Sequence, residues 1–317
     1  MDCNIERREF IGAVAAFAGV GVTAASSSNS KHVDADGQVS FDDGLRVRFL
    51  GSGSAGWERE PRTSKIFRRY SSILVDNRFL IDYTWMAEDM LPDGCRPTTI
   101  VYTHSHGDHY DPKAAVKLGV KDVYLQRGWI EDAKRDFAKA VAERGGVAPA
   151  IHPLDVNIPF NLAGYEILPL LGNHYTGKVH EQALIYKVSK QCNSGAVRLL
   201  YATDTSGLMS SAFFIGCSRK KPITAAIMEA TGNPVQKLGG LTISHSTASM
   251  VNDVFMTYLK PGKGHYMPNS GQPVYLTHIG YLEWGQKTFD DEMPPGLALA
   301  HDGLEVLFKP TGKGASG

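Results

Sequence analysis

The chain has 317 residues, of which 43% are hydrophobic and 21% are charged, so it is ordinary globular material, enough for one large or two small domains. Lysine plus arginine and aspartate plus glutamate each number 33, which leaves no net field to attract nucleic acid or an anionic membrane. The four cysteines show no C-x-x-C spacing, so they indicate neither a disulfide framework nor a structural zinc site. We therefore expect a small-molecule partner, which could be anionic, and no nucleic acid.

Residues 1–26 have the pattern of a twin-arginine export signal. Arg7 and Arg8 are followed by Phe10, by the weakly apolar stretch 13–25 and then by serines. The apolar stretch is too short for a stable membrane span. We expect this segment to engage the twin-arginine export machinery, to be removed, and to place the protein in the periplasm or another extracytoplasmic location. An ordinary amphipathic N-terminal helix is the alternative interpretation.

The rest of the chain predicts a single α/β domain over residues 45–310, preceded by a linker (27–44) and followed by a flexible tail (311–317). The predicted strands cover residues 46–50, 71–75, 79–82, 98–102, 122–126, 150–153, 165–171, 183–188, 197–202, 222–228, 274–277 and 305–308, and the predicted helices cover 113–117, 129–144 and 246–259. The Asp76-Asn77 pair predicts a hairpin turn between two of these strands. This alternation is typical of two sheets sandwiched between helices.

The most informative segment is His-Ser-His-Gly-Asp-His at residues 104–109, directly after the apolar run 98–102. It places three imidazoles and one carboxylate in a single turn, which are the donors that a hydrolytic metal site needs. Three more such residues, His174, Asp204 and His278, each follow an apolar strand, and loops at strand ends commonly project into a shared site. Seven donors in this pattern suffice for two metal ions.

This H-x-H-x-D-H run, followed in order by His174, Asp204 and His278, resembles the metallo-β-lactamase-fold hydrolase superfamily over nearly the whole of residues 45–308. The resemblance implies an αβ/βα four-layer sandwich with two divalent metal ions at one edge, zinc being expected and manganese or iron possible. It also implies the ligand sets: His104, His106 and His174 for the first metal, Asp108, His109 and His278 for the second, and Asp204 bridging both together with a hydroxide. Asp82 would orient one of the ligating histidines.

Two further motifs resemble the ribonuclease Z and cyclic phosphodiesterase branch of this superfamily. These are His245-Ser246-Thr247 at the start of a helix and Leu276-Thr277-His278 at the end of a strand. The resemblance implies hydrolysis of a phosphodiester or a similar ester, with Asp108 and His245 as the catalytic residues and His245 protonating the leaving group. Ser246 or Thr247 could also cap the helix. The chain lacks the room for an RNA-gripping arm between His174 and Asp204, so the substrate does not follow from the fold.

Other functions fit the same residues. A lactonase, thioesterase or β-lactam hydrolase would use the same metal centre, and a periplasmic metal- or ligand-binding protein would use it without catalysis. Arg68 and Arg69 could steer an anionic substrate, or they could form part of a solvated face.

Overall fold

The computed structural model describes most of the predicted domain. The described residues are 31–33, 39–41, 43–232, 245–257, 259, 264–266, 268, 271–281 and 293–310. The predicted export signal and the predicted tail lie outside them. No helix among the described residues is both long and apolar enough to cross a membrane.

The elements alternate much as the sequence predicts. The strands are β1 (Lys31–Val33), β2 (Val39–Phe41), β3 (Leu45–Gly51), β4 (Ser72–Val75), β5 (Phe79–Ile81), β6 (Thr99–Val101), β7 (Asp122–Gln126), β8 (Ala150–Leu154), β9 (Phe160–Leu162), β10 (Tyr165–Leu171), β11 (Leu184–Cys192), β12 (Gly195–Ala202), β13 (Ala225–Glu229), β14 (Val274–Thr277), β15 (Leu297–Leu299) and β16 (Glu305–Phe308). The α-helices are α1 (Pro112–Leu118), α2 (Ile130–Arg144), α3 (Ser210–Gly216) and α4 (Ala248–Thr257). Short 3-10 helices cover Trp57–Arg59, Trp85–Met90 and Arg127–Trp129.

Two seven-stranded mixed sheets form the centre of the fold. The first has the strand order β16-β3-β4-β5-β6-β7-β8, and the second has the order β15-β14-β13-β12-β11-β10-β9. Their facing surfaces share one apolar core, to which Phe49 and Ile81 of the first sheet and Tyr186, Leu199 and Ile227 of the second contribute. Burying each such side chain stabilises the fold by about 1.5–3 kcal/mol. This core holds the two sheets together.

Helices cover the outer face of each sheet, which completes the predicted four-layer αβ/βα sandwich. Ala115 of α1 and Phe137 of α2 belong to the apolar cluster on the outer face of the first sheet. Ala212 of α3 and Val251 of α4 belong to the corresponding cluster on the second sheet. The fold class is thus confirmed.

Local sequence signals explain several element boundaries. Asp76 and Asn77 adopt φ values of 46° and 59°, so the predicted hairpin turn joins β4 and β5. The Asp111 side chain accepts hydrogen bonds from the first amides of α1, and Gly119 ends that helix in the left-handed conformation. These boundaries follow from turn and cap chemistry.

Some elements differ from the sequence predictions. Three elements, α3, β9 and β15, were not predicted from the sequence, because they are short and carry weak apolar patterns. The strand predicted at 222–228 begins later, at Ala225. Strands β1 and β2 pair antiparallel within residues 27–44, where we expected a linker. The cysteines at 95, 192 and 217 are all free thiols.

The topology brings the chemically important residues to one edge of the sandwich. Strands β5 and β6 run parallel in the first sheet, and β12, β13 and β14 run parallel in the second. Their carboxyl ends therefore point to the same edge. The residues that stand at or just after these ends are Asp82, His104, Asp204, Glu229 and His278, and His174 follows β10.

Candidate metal centre

All seven residues of the predicted ligand set lie together. The side-chain donor atoms of His104, His106 and His174 lie within 4.8 Å of one another, as do those of Asp108, His109 and His278. Within the first group, His174 Nε2 lies 3.1 Å from His106 Nδ1. The structure therefore forms two neighbouring three-residue donor groups from segments far apart in the chain.

Asp204 lies between these two groups. Its Oδ2 atom is 2.6 Å from His109 Nε2 and 3.0 Å from His278 Nε2, and its Oδ1 atom is 3.7 Å from His174 Nε2. The side chain is 3% exposed. A carboxylate with one oxygen toward each group has the placement that a bridging ligand requires.

The donor chemistry fits two divalent cations. The Nε2 atom of His104 is buried and has no hydrogen-bond partner among the described residues, so a polar atom is left for a ligand to satisfy. Burial and the neighbouring His109 push the pKa of His104 well below its usual value, which keeps the imidazole neutral, as metal ligation requires.

The buried carboxylates of this centre also need positive charge nearby to compensate their negative charge. Asp82, Asp204 and Glu229 are almost fully buried, and the Asp108 side chain is 11% exposed. Burial lowers the pKa of His278, but the charge of Asp204 and hydrogen bonds to Asp108 and Glu229 raise it to about 10. Without cations, protons on the histidines compensate the carboxylates. Metal ions binding here would therefore displace protons.

Three residues of this centre have a strained backbone. Asp82, Asp204 and His278 adopt φ values of 56°, 47° and 53°, in the left-handed region that residues other than glycine rarely occupy. Such strain persists only where surrounding contacts enforce it, and it clusters at functional sites. Each of these residues directly follows or closely follows a strand, so the chain turns sharply and its side chain points into the centre.

Asp82 lies against His109, as the resemblance implies. Its carboxylate accepts hydrogen bonds from the Thr103 amide at 2.7 Å and the Thr103 hydroxyl at 2.8 Å. His109 Nδ1 lies 2.7 Å from the same carboxylate. Because an ionised carboxylate only accepts hydrogen bonds, this contact keeps a proton on Nδ1 of His109, so that Nε2, which faces Asp204, is the atom that a metal ion would bind in place of a proton.

His245 lies at the same centre, and it is oriented by Glu229, a residue that was not predicted from the sequence. Nδ1 of His245 lies 3.0 Å from Oε2 of Glu229, which is fully buried, and 3.5 Å from Oδ1 of Asp204. The signal for Glu229 was present: like Asp82 and Asp204, it is an acidic residue at or just after the end of an apolar strand. Its interaction with His245 leaves Nε2 of that imidazole directed away from the carboxylate.

The rest of the His245-Ser246-Thr247 motif fixes the helix and the Asp204 loop. The Thr247 hydroxyl accepts a hydrogen bond from the Met250 amide and caps α4, as expected for one of the two hydroxyl residues. The Ser246 hydroxyl donates to the Thr205 carbonyl and accepts from the Gly207 amide. Ser246 therefore ties the start of α4 to the loop that carries Asp204.

A second missed residue, Glu181, holds the histidine turn. The carboxylate of this buried residue accepts hydrogen bonds from the amide and the hydroxyl of Ser105, both at 2.6 Å. Ser105 stands between His104 and His106, so Glu181 fixes the backbone between two donors. No local sequence pattern marks Glu181, because its partner lies 76 residues away.

A cavity of about 360 Å³ opens beside the centre. Its lining includes His106, Asp108, His174, Asp204, His245, His278, Thr231, Ser54, Arg59 and Tyr281. Arg59 and Tyr281 were not predicted from the sequence. The cavity is large enough for a small molecule that contacts both donor groups.

Arg68 and Arg69 do not face this cavity, so the steering role proposed from the sequence is wrong. Arg68 is buried and donates hydrogen bonds to the Ser52 hydroxyl and the Ala300 carbonyl. Arg69 pairs with Asp89 and with Asp302. Both arginines hold loops together.

Comparison with solved structures supports the same fold. A Bacillus subtilis metallo-beta-lactamase fold protein, YhfI, is 15% identical with a TM-score of 0.57, covering 84% of this chain and all of the other. Zn(2+)-bound PqqB from Methylobacterium extorquens is 15% identical with a TM-score of 0.56, over 82% of this chain and 99% of the other. The short form of human tRNase Z is 17% identical with a TM-score of 0.56, over 82% and 98%. No family model and no curated protein matches the chain. At these identities the likeness shows the fold alone: the chain has the metallo-β-lactamase fold.

Proposed function

We propose that this protein is an exported, dinuclear metal-dependent hydrolase that cleaves a phosphodiester or a similar ester. The observation that carries the proposal is the position of Asp204 between two groups of three donors each. His104, His106 and His174 would hold one ion, and Asp108, His109 and His278 would hold the other. Two divalent ions would activate water as the nucleophile and stabilise negative charge that develops in the transition state. Zinc is the expected metal, in keeping with zinc in the structurally similar PqqB.

His245, oriented by Glu229, would protonate the leaving group of the substrate. Glu229 holds Nδ1 of His245, which lines the cavity, so Nε2 of the imidazole would be free to face the leaving group of a substrate bound there. Burial lowers the pKa of His245, but the hydrogen bond and charge of Glu229 raise it above its usual value. A protonated His245 would donate its proton to the departing oxygen as general acid.

Purified protein loaded with zinc or manganese tests this function. Elemental analysis would measure about two ions per chain, and a panel of chromogenic phosphodiesters, lactones, thioesters and a chromogenic cephalosporin would identify the bond cleaved. Turnover of lactones or lactams without any phosphodiester turnover would contradict the phosphodiester proposal. Metal binding without turnover of any class would favour a binding protein.

Two variants separate the roles of metal ligand and general acid. Asp204→Ala should lose metal and activity together, because it removes the carboxylate between the two groups. His245→Ala should retain metal but lose about 10²–10⁴-fold in kcat. His301→Ala, which removes an exposed histidine outside the centre, is the matched control. A His245→Ala enzyme with the wild-type kcat on substrates with poor leaving groups would remove the general-acid role.

The export proposal rests on residues 1–26, which lie outside the described residues. Replacing both Arg7 and Arg8 with lysine should retain the protein in the cytoplasm, because the twin-arginine route reads that pair. Fractionation of cells expressing either form would measure this. An unchanged distribution would favour the alternative of an ordinary N-terminal helix.

A further inference from the structure

Arg59, an arginine that lines the cavity, stands on a rigid support. Arg59 ends the short 3-10 helix Trp57–Arg59, whose first residue is fully buried. The Trp57 indole donates a hydrogen bond to the Ile279 carbonyl at 2.6 Å, and its ring packs edge-on against Tyr281 at 5.1 Å. Ile279 directly follows His278, so the turn that carries Arg59 is fastened to a loop of the metal centre.

The carboxylate nearest to Arg59 is held by other groups. Glu58 accepts hydrogen bonds from the Gly56 amide and the Tyr70 hydroxyl, both at 2.7 Å, on the same oxygen. Its other oxygen is 3.9 Å from Arg59 Nε, beyond hydrogen-bond distance, and the Arg59 side chain is 67% exposed. An exposed ion pair of this length contributes little to stability. The Arg59 guanidinium is therefore available to another anion.

No lysine and no other arginine lines this cavity among the described residues. Besides Arg59, the lining consists of residues of the candidate metal centre and of Ser54, Ala55, Gly56, Thr231 and Tyr281, so that Arg59 and the candidate metal centre share one cavity. A substrate whose ester lies at the metal centre would thus extend toward one positive charge on a rigid turn. A guanidinium can bind a carboxylate or a phosphate with two parallel hydrogen bonds.

We infer that Arg59 binds a second anionic group of the substrate, a carboxylate or a phosphate separate from the ester that is cleaved. The inference rests on the proposed function for the position of the ester. It makes the substrate a small ester or phosphodiester with an anionic end, and it makes Arg59 a specificity-determining residue. The volume of the cavity, about 360 Å³, suits such a molecule.

Binding of three matched phosphonates to the zinc-loaded protein tests Arg59 without requiring turnover. The phosphonate would occupy the metal centre in each, and a two-carbon chain joins it to a methyl group (propylphosphonate), a carboxylate (3-phosphonopropionate) or a second phosphonate (ethane-1,2-bisphosphonate). Titration calorimetry should show at least one anionic end binding 10-fold or more tightly than the methyl end. The order of the two anionic ligands distinguishes a carboxylate from a phosphate as the natural group.

Variants identify the residue responsible. Arg59→Gln should abolish the preference for an anionic end and leave propylphosphonate binding within twofold of wild type, whereas Arg59→Lys should retain part of it. Arg62→Gln is the matched control, because Arg62 is a nearby exposed arginine that pairs with Asp89 outside the cavity. Equal affinity of the three ligands in wild type, or a preference that survives Arg59→Gln, would overturn the inference. If the protein hydrolyses no ester but still prefers an anionic end in a way that depends on Arg59, the result contradicts only the proposed function.

Discussion

Replacing Asp82 with asparagine should weaken metal binding through His109. Asp82 is fully buried and accepts three hydrogen bonds, from the Thr103 amide, the Thr103 hydroxyl and His109 Nδ1. Asparagine has the same shape, but its amide nitrogen donates in place of one oxygen. If that nitrogen faces His109, the imidazole must carry its proton on Nε2, the atom that faces Asp204.

The size of this effect follows from the hydrogen bonds that asparagine cannot accept. In the opposite orientation of the asparagine side chain, the amide nitrogen would face the Thr103 amide and leave a buried donor unsatisfied. Either arrangement costs about 1–3 kcal/mol. Loss of such an orienting partner typically lowers metal affinity 10–100-fold, which equals about 1.4–2.7 kcal/mol. We expect Asp82→Asn to fall in this range.

Competition with a chromogenic zinc chelator would measure the affinity, and circular dichroism would show that the variant folds. Asp111→Asn is the matched control: it makes the same chemical change at the cap of α1, where asparagine serves equally well. Wild-type metal affinity in a folded Asp82→Asn protein would refute the reasoning, and so would an equal loss in Asp111→Asn.

Three more predictions concern acidity, thiol reactivity and stability. Because Glu229 raises the pKa of His245, Glu229→Gln should lower that pKa, so the alkaline fall in kcat should begin at a lower pH in a pH–rate profile. Burial raises the pKa of the Cys217 thiol to about 12, so peptide mapping after alkylation at pH 8 should find it unmodified in the folded protein. Lys190 Nζ lies 2.8 Å from Asp76 in a buried ion pair. Lys190→Met should therefore lower the free energy of unfolding by about 3–5 kcal/mol in urea titrations.

Controls for these predictions lie in the same domain. Glu166→Gln removes an exposed carboxylate and should leave the pH–rate profile unchanged. Cys217 should react at once in guanidinium chloride, and equally fast labelling of the folded protein would contradict its burial. Lys113→Met breaks an exposed pair with Glu143 and should cost less than about 1 kcal/mol. Equal losses in the two lysine variants would contradict the buried pair's role.

The seven residues that lie together at the candidate metal centre could be selected from the sequence because each has a local signature. The run at 104–109 concentrates four donors in one turn, and His174, Asp204 and His278 each come soon after an apolar strand. Helix and hairpin boundaries were predictable for a similar reason, since Asp111 caps α1 and Asp76 begins a hairpin turn. Such signals depend only on residues close together in the chain.

Long-range partners could not be predicted in this way. Glu181 contacts Ser105 across 76 residues, and neither residue indicates the other by type or spacing. Arg68 and Arg69 were considered either as a steering pair for an anionic substrate or as part of a solvated face, yet hydrogen bonds and ion pairs with distant residues hold them away from the cavity. Glu229 stands at a strand end, as the predicted residues do. Its role was not predicted, because that role depends on contact with His245, which only the tertiary structure brings close.

Sequence alone establishes the periodicity of the strands and the chemistry of the donors, because both are properties of short segments. Tertiary structure establishes which strand ends meet, since parallel pairing of β12, β13 and β14 brings Asp204, Glu229 and His278 to one edge. It also places Arg59 on the cavity wall, through the anchoring of Trp57 on Ile279. Local patterns thus indicate the residues of the candidate metal centre, whereas the residues that orient them and the lining of the cavity depend on long-range packing.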